Sequence, residues 1–312
     1  MKPEYSDRIL GAETSSRDRD SAAERNRNRI VNERLALEPD IAFRRRLRSI
    51  IQWLPWENGL MVGDIGTGLG HHAALLVELG ANVLAVEPDA QRMASTRTTA
   101  PLAVPIVAAL PRLPFRDSIL SSIVCSEVLE HVDDDAAAIR EIGRVLAPGG
   151  TVVITVPHAR FPFHWDPINR MLEAIGREPI RIGPFAGIWT QHKRLYEPAE
   201  LSAMLEAHGL TVQVVQEQSC HGIPFSHLLI YVVGKSLLER GFGISRLTRS
   251  FQRLGMEAEP GANRSRERLN PVLRTVSSGF ALLDRWNDRS EPNARRFVSI
   301  LVVAVKIRSS TI

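Results

Sequence analysis

The sequence predicts an α/β fold, a seven-stranded and mostly parallel sheet with helices on both faces, and three observations predict it. Apolar, β-branched runs alternate with helical segments, the pattern of strands joined by crossover helices. A glycine-rich stretch, Val62-Gly-Asp-Ile-Gly-Thr-Gly-Leu-Gly70, falls where the first run gives way to a helix. The helical segments end on turn signals, most plainly Pro148-Gly149-Gly150, which is expected to stop a helix and turn the chain.

Taken in order, Asn28 to Trp56 is helical in pattern, with Ile30, Leu35 and Leu37 and then Ile41, Phe43, Leu47, Ile50 and Ile51 at the apolar positions and Pro39 dividing it. Strands are expected at Leu60 to Ile65, Asn82 to Glu87, Pro105 to Val107, Ser121 to Ser126 and Thr151 to Val156. Helices are expected between them at Ala73 to Leu79, Gln91 to Thr98 and Asp135 to Leu146. Leu210 to Gln216 and Phe297 to Ile307 complete the sheet, yet about eighty residues separate them, where an ordinary connection is short. Residues 217–296 are therefore read as a helical insertion before the last strand, a lid or membrane-contact subdomain. Residues 30–216 and 297–312 form the main domain, and residues 1–29, crowded with charge and poor in apolar side chains, a flexible tail.

A chain of 312 residues with 44% hydrophobic content can bury a full core. It shows neither the apolar run and cleavage site of a secretory signal nor the roughly 18 consecutive apolar residues of a spanning helix. Two cysteines, Cys125 and Cys220, make neither a disulfide framework nor a Cys-based zinc site. A cytoplasmic protein is expected. The net charge is only +4, but Arg240, Arg246, Arg249, Arg253, Arg264, Arg266 and Arg268 crowd the insertion. Only Phe242 and Phe251 interleave them, and no RNA- or DNA-binding motif accompanies them, which disfavours a nucleic-acid partner.

The glycines of the turn let backbone approach a ligand without a Cβ in the way, so a nucleotide-like cofactor is the natural occupant. The spacing is Gly66-x-Gly68-x-Gly70, and His71 stands where a dinucleotide fingerprint wants its third glycine, which argues against NAD. Glu87 closes the second strand twenty-one positions after Gly66, where a carboxylate can accept from both ribose hydroxyls.

Five elements in order, Gly63-Asp-Ile-Gly-Thr-Gly-Leu-Gly70, Val86-Glu-Pro88, Leu113-Pro-Phe115, Glu127-Val-Leu-Glu-His-Val132 and Arg144-Val-Leu-Ala-Pro-Gly-Gly150, resemble the S-adenosylmethionine (SAM)-dependent methyltransferases of the large type 11 family. The resemblance covers roughly Ile51 to Gln216 plus the last strand. It implies that family's Rossmann-like fold, with SAM lying across the C-terminal ends of the strands. The cofactor-binding positions it implies are Asp64, Gly66, Thr67, Gly68, Gly70, Glu87 and Pro88, then Ala109, Leu110, Ser126 and Glu127. In one departure, the family often has an acidic residue four places before its Leu-Pro-Phe, and this chain has Ala109, so backbone near Ala109 and Leu110 takes its place.

Methyl transfer from a sulfonium is an in-line displacement that needs positioning above all, and a general base only for protonated acceptors. His131, His158 and His192 are the catalytic candidates, with His164 and Asp166 beside them in the segments after the fourth and fifth strands. Glu127, Glu130 and His131 share one face of a helical turn, spaced to converge on a divalent ion. With the distal His192 they resemble the metal ligands of ubiquinone-pathway O-methyltransferases and plant small-RNA methyltransferases, which implies a magnesium-like ion activating an acceptor hydroxyl. Carboxylates favour helix N-termini without any metal, and the site is read as metal-free with this set as the alternative.

Phe161, Phe163, Trp165, Phe185 and Trp189 lie between the fifth and sixth strands, either as the wall of an apolar acceptor site or as a packed plug. Residues 222–274, with Arg44, Arg45, Arg46 and Arg48, suit peripheral contact with anionic headgroups on the inner face of a membrane, against the plainer reading of a buried helix and a solvated arginine face. The expected function is methyl transfer from SAM to a small or lipid-like acceptor, isoprenoid or phenolic, with oxygen the preferred atom. The alternative is a non-catalytic scaffold that keeps the SAM fold, and oligomeric state stays open.

Overall fold

The computed structural model describes residues 14–35, 40–55, 59–183, 185–221 and 271–307. Its centre is one sheet of β1 (Met61–Ile65), β2 (Asn82–Glu87), β3 (Val104–Val107), β4 (Leu120–Ser126), β5 (Leu146–Pro157), β6 (Leu210–Gln218) and β7 (Ser299–Lys306). The seven strands lie in the order β3-β2-β1-β4-β5-β7-β6. β1 to β5 pair in parallel, and β7 runs antiparallel between β5 and β6. The strand order reverses between β1 and β4, and in open α/β sheets ligands bind in the crevice beyond the carboxyl ends of the strands at such a reversal.

Side-chain alternation along each strand divides the core between two faces. Val62, Val124 and Val153 point to the face covered by α1 (Thr14–Leu35), α2 (Ile41–Trp53) and α3 (His71–Glu78), where Ile30, Leu35, Ile50 and Leu75 are buried. Ile65, Ile123 and Ile154 point to the opposite face, against Ile139 and Ile142 of α5 (Asp135–Val145) and Leu201 and Leu205 of α7 (Pro198–Ala207). Between them in sequence, α4 (Ala90–Thr99) follows β2, and α6 (Pro167–Ala174) lies in the long excursion after β5. α8 (Pro271–Ser290) leads into β7.

Three expectations are corrected. The charged tail is helical from Thr14, because Arg29 pairs with Glu33 one turn on at 3.0 Å while Ile30, Val31 and Leu35 are buried in the core. Pro148-Gly149-Gly150 does not separate helix from strand: β5 begins at Leu146, and its pairing with β4 jumps from Leu120–Leu146 to Ser122–Thr151. The intervening residues bulge out within the strand. Arg44 and Arg45 are not free for headgroups. They are 5% and 8% exposed and tie α2 to α8, Arg44 to Asp284 at 3.0 Å and Arg45 to Asp288 at 2.8 Å and Glu291 at 2.6 Å.

The apolar run His227 to Gly234 and the seven arginines from Arg240 to Arg268 lie outside the described residues, as do most of residues 222–274. No helix among the described residues is long and apolar enough to cross a membrane.

Candidate functional site

The glycine turn is fixed from below by main chain and short side chains. Gly66 and Thr67 N–H both donate to the Val86 carbonyl, at 2.8 and 2.9 Å, locking the loop onto β2. The Thr67 hydroxyl donates to Asp64 at 2.5 Å. Asp64 is buried, which raises its pKa to about 6 against the pull of Thr67 and of the Ala73 N–H. Asp64 and Thr67 therefore hold the loop rather than line its open side.

The three glycines have different reasons for being glycine. All have positive φ, +73°, +57° and +82° at Gly66, Gly68 and Gly70. A Cβ on Gly66 would come within 2.3 Å of Val128 Cγ2, and one on Gly70 within 2.9 Å of Thr96 Cγ2, whereas one on Gly68 would meet nothing within 4 Å. Gly66 and Gly70 are required by packing, and Gly68 borders open space. Glu87 stands at the rim of that space, one oxygen accepting from Gly68 N–H at 3.0 Å and the other from Asp89 N–H at 3.2 Å. Each carboxylate oxygen keeps a second lone pair. Pro88 is exposed beside it.

Ala109 and Leu110 lie past the end of β3, with Ala109 exposed and its carbonyl accepting from Arg112 N–H at 3.0 Å. The loop that follows is braced by two residues not foreseen as site residues. Glu141 accepts from Leu113 N–H at 2.7 Å, and Arg144 donates to the carbonyls of Phe115 at 2.8 Å and Leu113 at 3.3 Å. Arg144 opens the last of the five sequence elements, so its position was visible although its task was not.

At the end of β4, Ser126 shares a hydrogen bond with Thr155, 2.8 Å between hydroxyls, and Thr155 also approaches Glu127 Oε1 at 3.1 Å. Glu127 has φ +56°, a conformation a non-glycine residue rarely takes, and its other oxygen lies 3.8 Å from Arg46 of α2. Arg46 is thus a third unforeseen neighbour of the site, invisible in sequence because four strands and two helices separate it from the motif it faces.

Beyond Glu127 the chain makes a single 3₁₀ turn, Leu129–His131, and brings three of the four proposed metal ligands together. Glu130 is fully buried, neither carboxylate oxygen has a hydrogen-bond partner, and Oε1 lies 3.8 Å from Nε2 of both His131 and His192. Burial, reinforced by the charge of Glu127, pushes the Glu130 carboxyl well above the ordinary range. Burial likewise pulls His192 down to about 4, so its imidazole is neutral at pH 7. His131 Nδ1 lies 3.1 Å from the Gln191 carbonyl, which can only accept, so Nδ1 carries the hydrogen and Nε2 keeps its lone pair. Glu127 does not belong to this compact group.

His158 stands apart and is corrected as a base. It is wholly buried, its Nδ1 accepts from Arg160 N–H at 2.9 Å within its own loop, and its Nε2 donates to Glu217 of β6 at 2.7 Å, so both nitrogens are occupied. Asp166 is committed too, capping α6 through Asn169 N–H at 3.2 Å and accepting from Ile188 N–H at 3.1 Å. The aromatic segment splits between its two readings: Phe161 is buried beneath Arg170, while Phe163 and Phe185 are 53% and 49% exposed.

Residues 63–154 match a family model described as a methyltransferase domain. The chain is 29% identical over 155 residues to a protein of Mycolicibacterium smegmatis named "Probable S-adenosylmethionine-dependent methyltransferase", covering 50% of this chain and 53% of that one. It is 30% identical over 133 residues to an uncharacterized methyltransferase of Mycobacterium tuberculosis, covering 42% and 54%. The chain thus spans about half the length of the curated relatives it matches. Among solved structures it is similar to phosphoethanolamine N-methyltransferase 2 of Haemonchus contortus with S-adenosyl-L-methionine, at TM-score 0.45 and 15% identity over 84% of this chain and 52% of that one. A SAM-dependent methyltransferase of Aquifex aeolicus is similar at TM-score 0.42 and 18% identity, over 59% and 86%.

Proposed function

From a chain whose residues 63–154 match the model of a methyltransferase domain, we propose a SAM-dependent methyltransferase that acts on a small or lipid-like acceptor. The observation that carries the cofactor half is the open space over Gly68, bordered by a Glu87 carboxylate with lone pairs to spare and lying at the strand reversal between β1 and β4. SAM bound there supplies an electrophilic methyl group on a sulfonium. Glu87 would accept from the ribose hydroxyls, and backbone at Ala109 and Leu110 would meet the base. Ser126 and Glu127 close the crevice across from the loop, and Asp64, Thr67 and Gly66 keep the loop in place.

On the acceptor side, His131 offers an imidazole lone pair and is 39% exposed at its side chain, so it is the residue to take a proton from an acceptor hydroxyl. That favours transfer to oxygen. Exposed Phe163 and Phe185 suit an apolar body, phenolic or isoprenoid.

A second reading of the same cluster is favoured by the two orphaned oxygens of Glu130, since a buried carboxylate without partners is costly unless neutralised. Glu130, His131 and His192 would then hold a divalent ion that polarises the acceptor oxygen.

Calorimetric titration with SAM, S-adenosylhomocysteine and NAD tests the function. Saturable binding of the first two and none of NAD is expected, whereas a chain that binds none of the three is a scaffold. Titrating metal-stripped protein with Mn²⁺, and repeating with Glu130→Gln, separates the two readings of the cluster: binding lost in the variant selects the metal, and no binding in the parent leaves His131 as a base.

A further inference from the structure

A second concavity shares no lining residue with the glycine loop. It has a volume of about 450 Å³, within the range of small-molecule sites, roughly 300–1,000 Å³. Its lining comes from three loops, Pro162–His164 after β5, Cys220 and His221 after β6, and the stretch to Arg296 that enters β7. β7 is antiparallel to its neighbours, so all three loops emerge at the carboxyl edge of the parallel strands, the edge that carries the glycine turn and Glu127.

The walls are flat and the rim is cationic. His221 stacks on Trp286 with ring centroids 4.0 Å apart and planes within 9°, and His164 lies parallel to His221 at 6.0 Å. Phe163 adds an exposed ring. Burial and the neighbouring His221 lower the His164 pKa, so that ring is neutral at pH 7, and its Nε2 is buried with no hydrogen-bond partner. Arg295 and Arg296 line the mouth, both exposed and neither in an ion pair among the described residues. The backbone beneath is rigid: Asn287 accepts from His221 N–H at 2.8 Å and donates to its carbonyl at 3.0 Å.

We propose that this cavity is the acceptor subsite and takes a flat aromatic ring bearing an anionic group, a carboxylate or a phosphate. The ring lies against His164 and Phe163, and the anion meets the Arg295 and Arg296 guanidiniums, whose forked N–H donors match both oxyanions. The inference deepens the methyltransferase reading and rests on it, choosing the phenolic branch of the acceptors over the isoprenoid one.

The test is calorimetry on the full chain with S-adenosylhomocysteine bound. The probes are 6-hydroxy-2-naphthoate, 2-naphthyl phosphate and 2-naphthol, which share a ring system and differ in charge. One of the anionic probes is expected to bind at least tenfold tighter than naphthol, and the tighter of the two tells which anion the site takes. Arg295→Ala with Arg296→Ala, both at exposed positions, should erase that tenfold advantage while S-adenosylhomocysteine affinity and melting temperature stay unchanged. Equal binding of naphthol and the anions, no binding of any probe to a chain that holds S-adenosylhomocysteine, or full anion affinity in the double variant would overturn the assignment. Failure to bind S-adenosylhomocysteine would sink the methyltransferase reading instead, and the probes can still be titrated against the chain alone.

Discussion

The two halves of the sheet are held by different kinds of contact. In the half that carries the glycine turn, partners lie close in sequence: Asp64 with Thr67, Gly66 with Val86, Gly68 with Glu87 nineteen positions on. In the other half, partners are remote: Arg45 reaches Asp288 across 243 positions, and Glu291 accepts from Ser219 N–H across 72. A motif can record the first kind of contact and not the second. The glycine turn is therefore built locally, while the face proposed above for the acceptor forms only once the loop after β6 and the end of α8 have met.

If that contrast is right, the largest loss of stability should come from a residue no motif contains. Arg45→Ala would leave the half-buried Glu291 without its guanidinium while Asp284 keeps Arg44, and breaking a buried pair on one side costs about 3–5 kcal/mol, so a loss near the lower end is expected. Urea unfolding should show it. A loss below about 1 kcal/mol, the scale of an exposed pair, would mean that Arg45 adds little to the joint between α2 and α8 that Arg44 and Asp284 already make.

Glu87→Ala should weaken SAM binding by more than the folding it also loses with its bonds to Gly68 N–H and Asp89 N–H. Two hydrogen bonds to a charged group are worth about 3 kcal/mol together, or about a hundredfold in SAM affinity. Calorimetry would read the affinity and a melting curve the stability. An equal loss in both would make Glu87 a strut for Gly68 and Asp89 rather than a ligand for the cofactor.

The glycines sharpen the contrast within the loop. Gly66→Ala places a methyl 2.3 Å from Val128 Cγ2 at φ +73°, so folding should suffer by about 2 kcal/mol or more, part strain and part clash. Adding Val128→Ala should recover the clash and leave the strain. Gly68→Ala pays only the strain, about 1 kcal/mol, but puts its methyl into the open space, so SAM affinity should fall with little change in melting. A Gly68→Ala protein that binds SAM normally would place the cofactor elsewhere.

The same contrast explains how far the residues could be read without coordinates. Strand positions followed from β-branched runs, and β2 matches its expected span, Asn82–Glu87, residue for residue. The Pro-Gly-Gly turn misled because a bulge inside a strand and a turn before one use the same residues. The helix was expected from Asn28 on, but its first half, from Thr14, was hidden because its charged residues match disorder in composition. His131 and His192 were named as candidates, but only folding shows that they share one buried carboxylate. His158 looked equivalent to them because sequence does not reveal that both its nitrogens are taken.

The smallest expected effects are pH-dependent and have opposite signs in two parts of the molecule. Hydrogen bonding to Arg144 and to Leu113 N–H holds Glu141 below its ordinary pKa, so its contribution is full above the unfolded-state value and is lost as pH falls through the folded one. Asp64 is raised by burial to about 6, so its charged form costs stability above that pH, and the cost disappears as pH falls from about 6 to the ordinary aspartate value of about 3.9. Glu141→Gln should therefore differ most from the parent at neutral pH and converge with it in acid. Asp64→Asn should compare more favourably with its parent at pH 8 than at pH 5, whatever its absolute stability. Melting temperatures of the three proteins across pH 4 to 8 would decide it, since a shift of the Asp64→Asn difference in the opposite direction would mean that this carboxylate is stabilised, not strained, by its place beneath the loop.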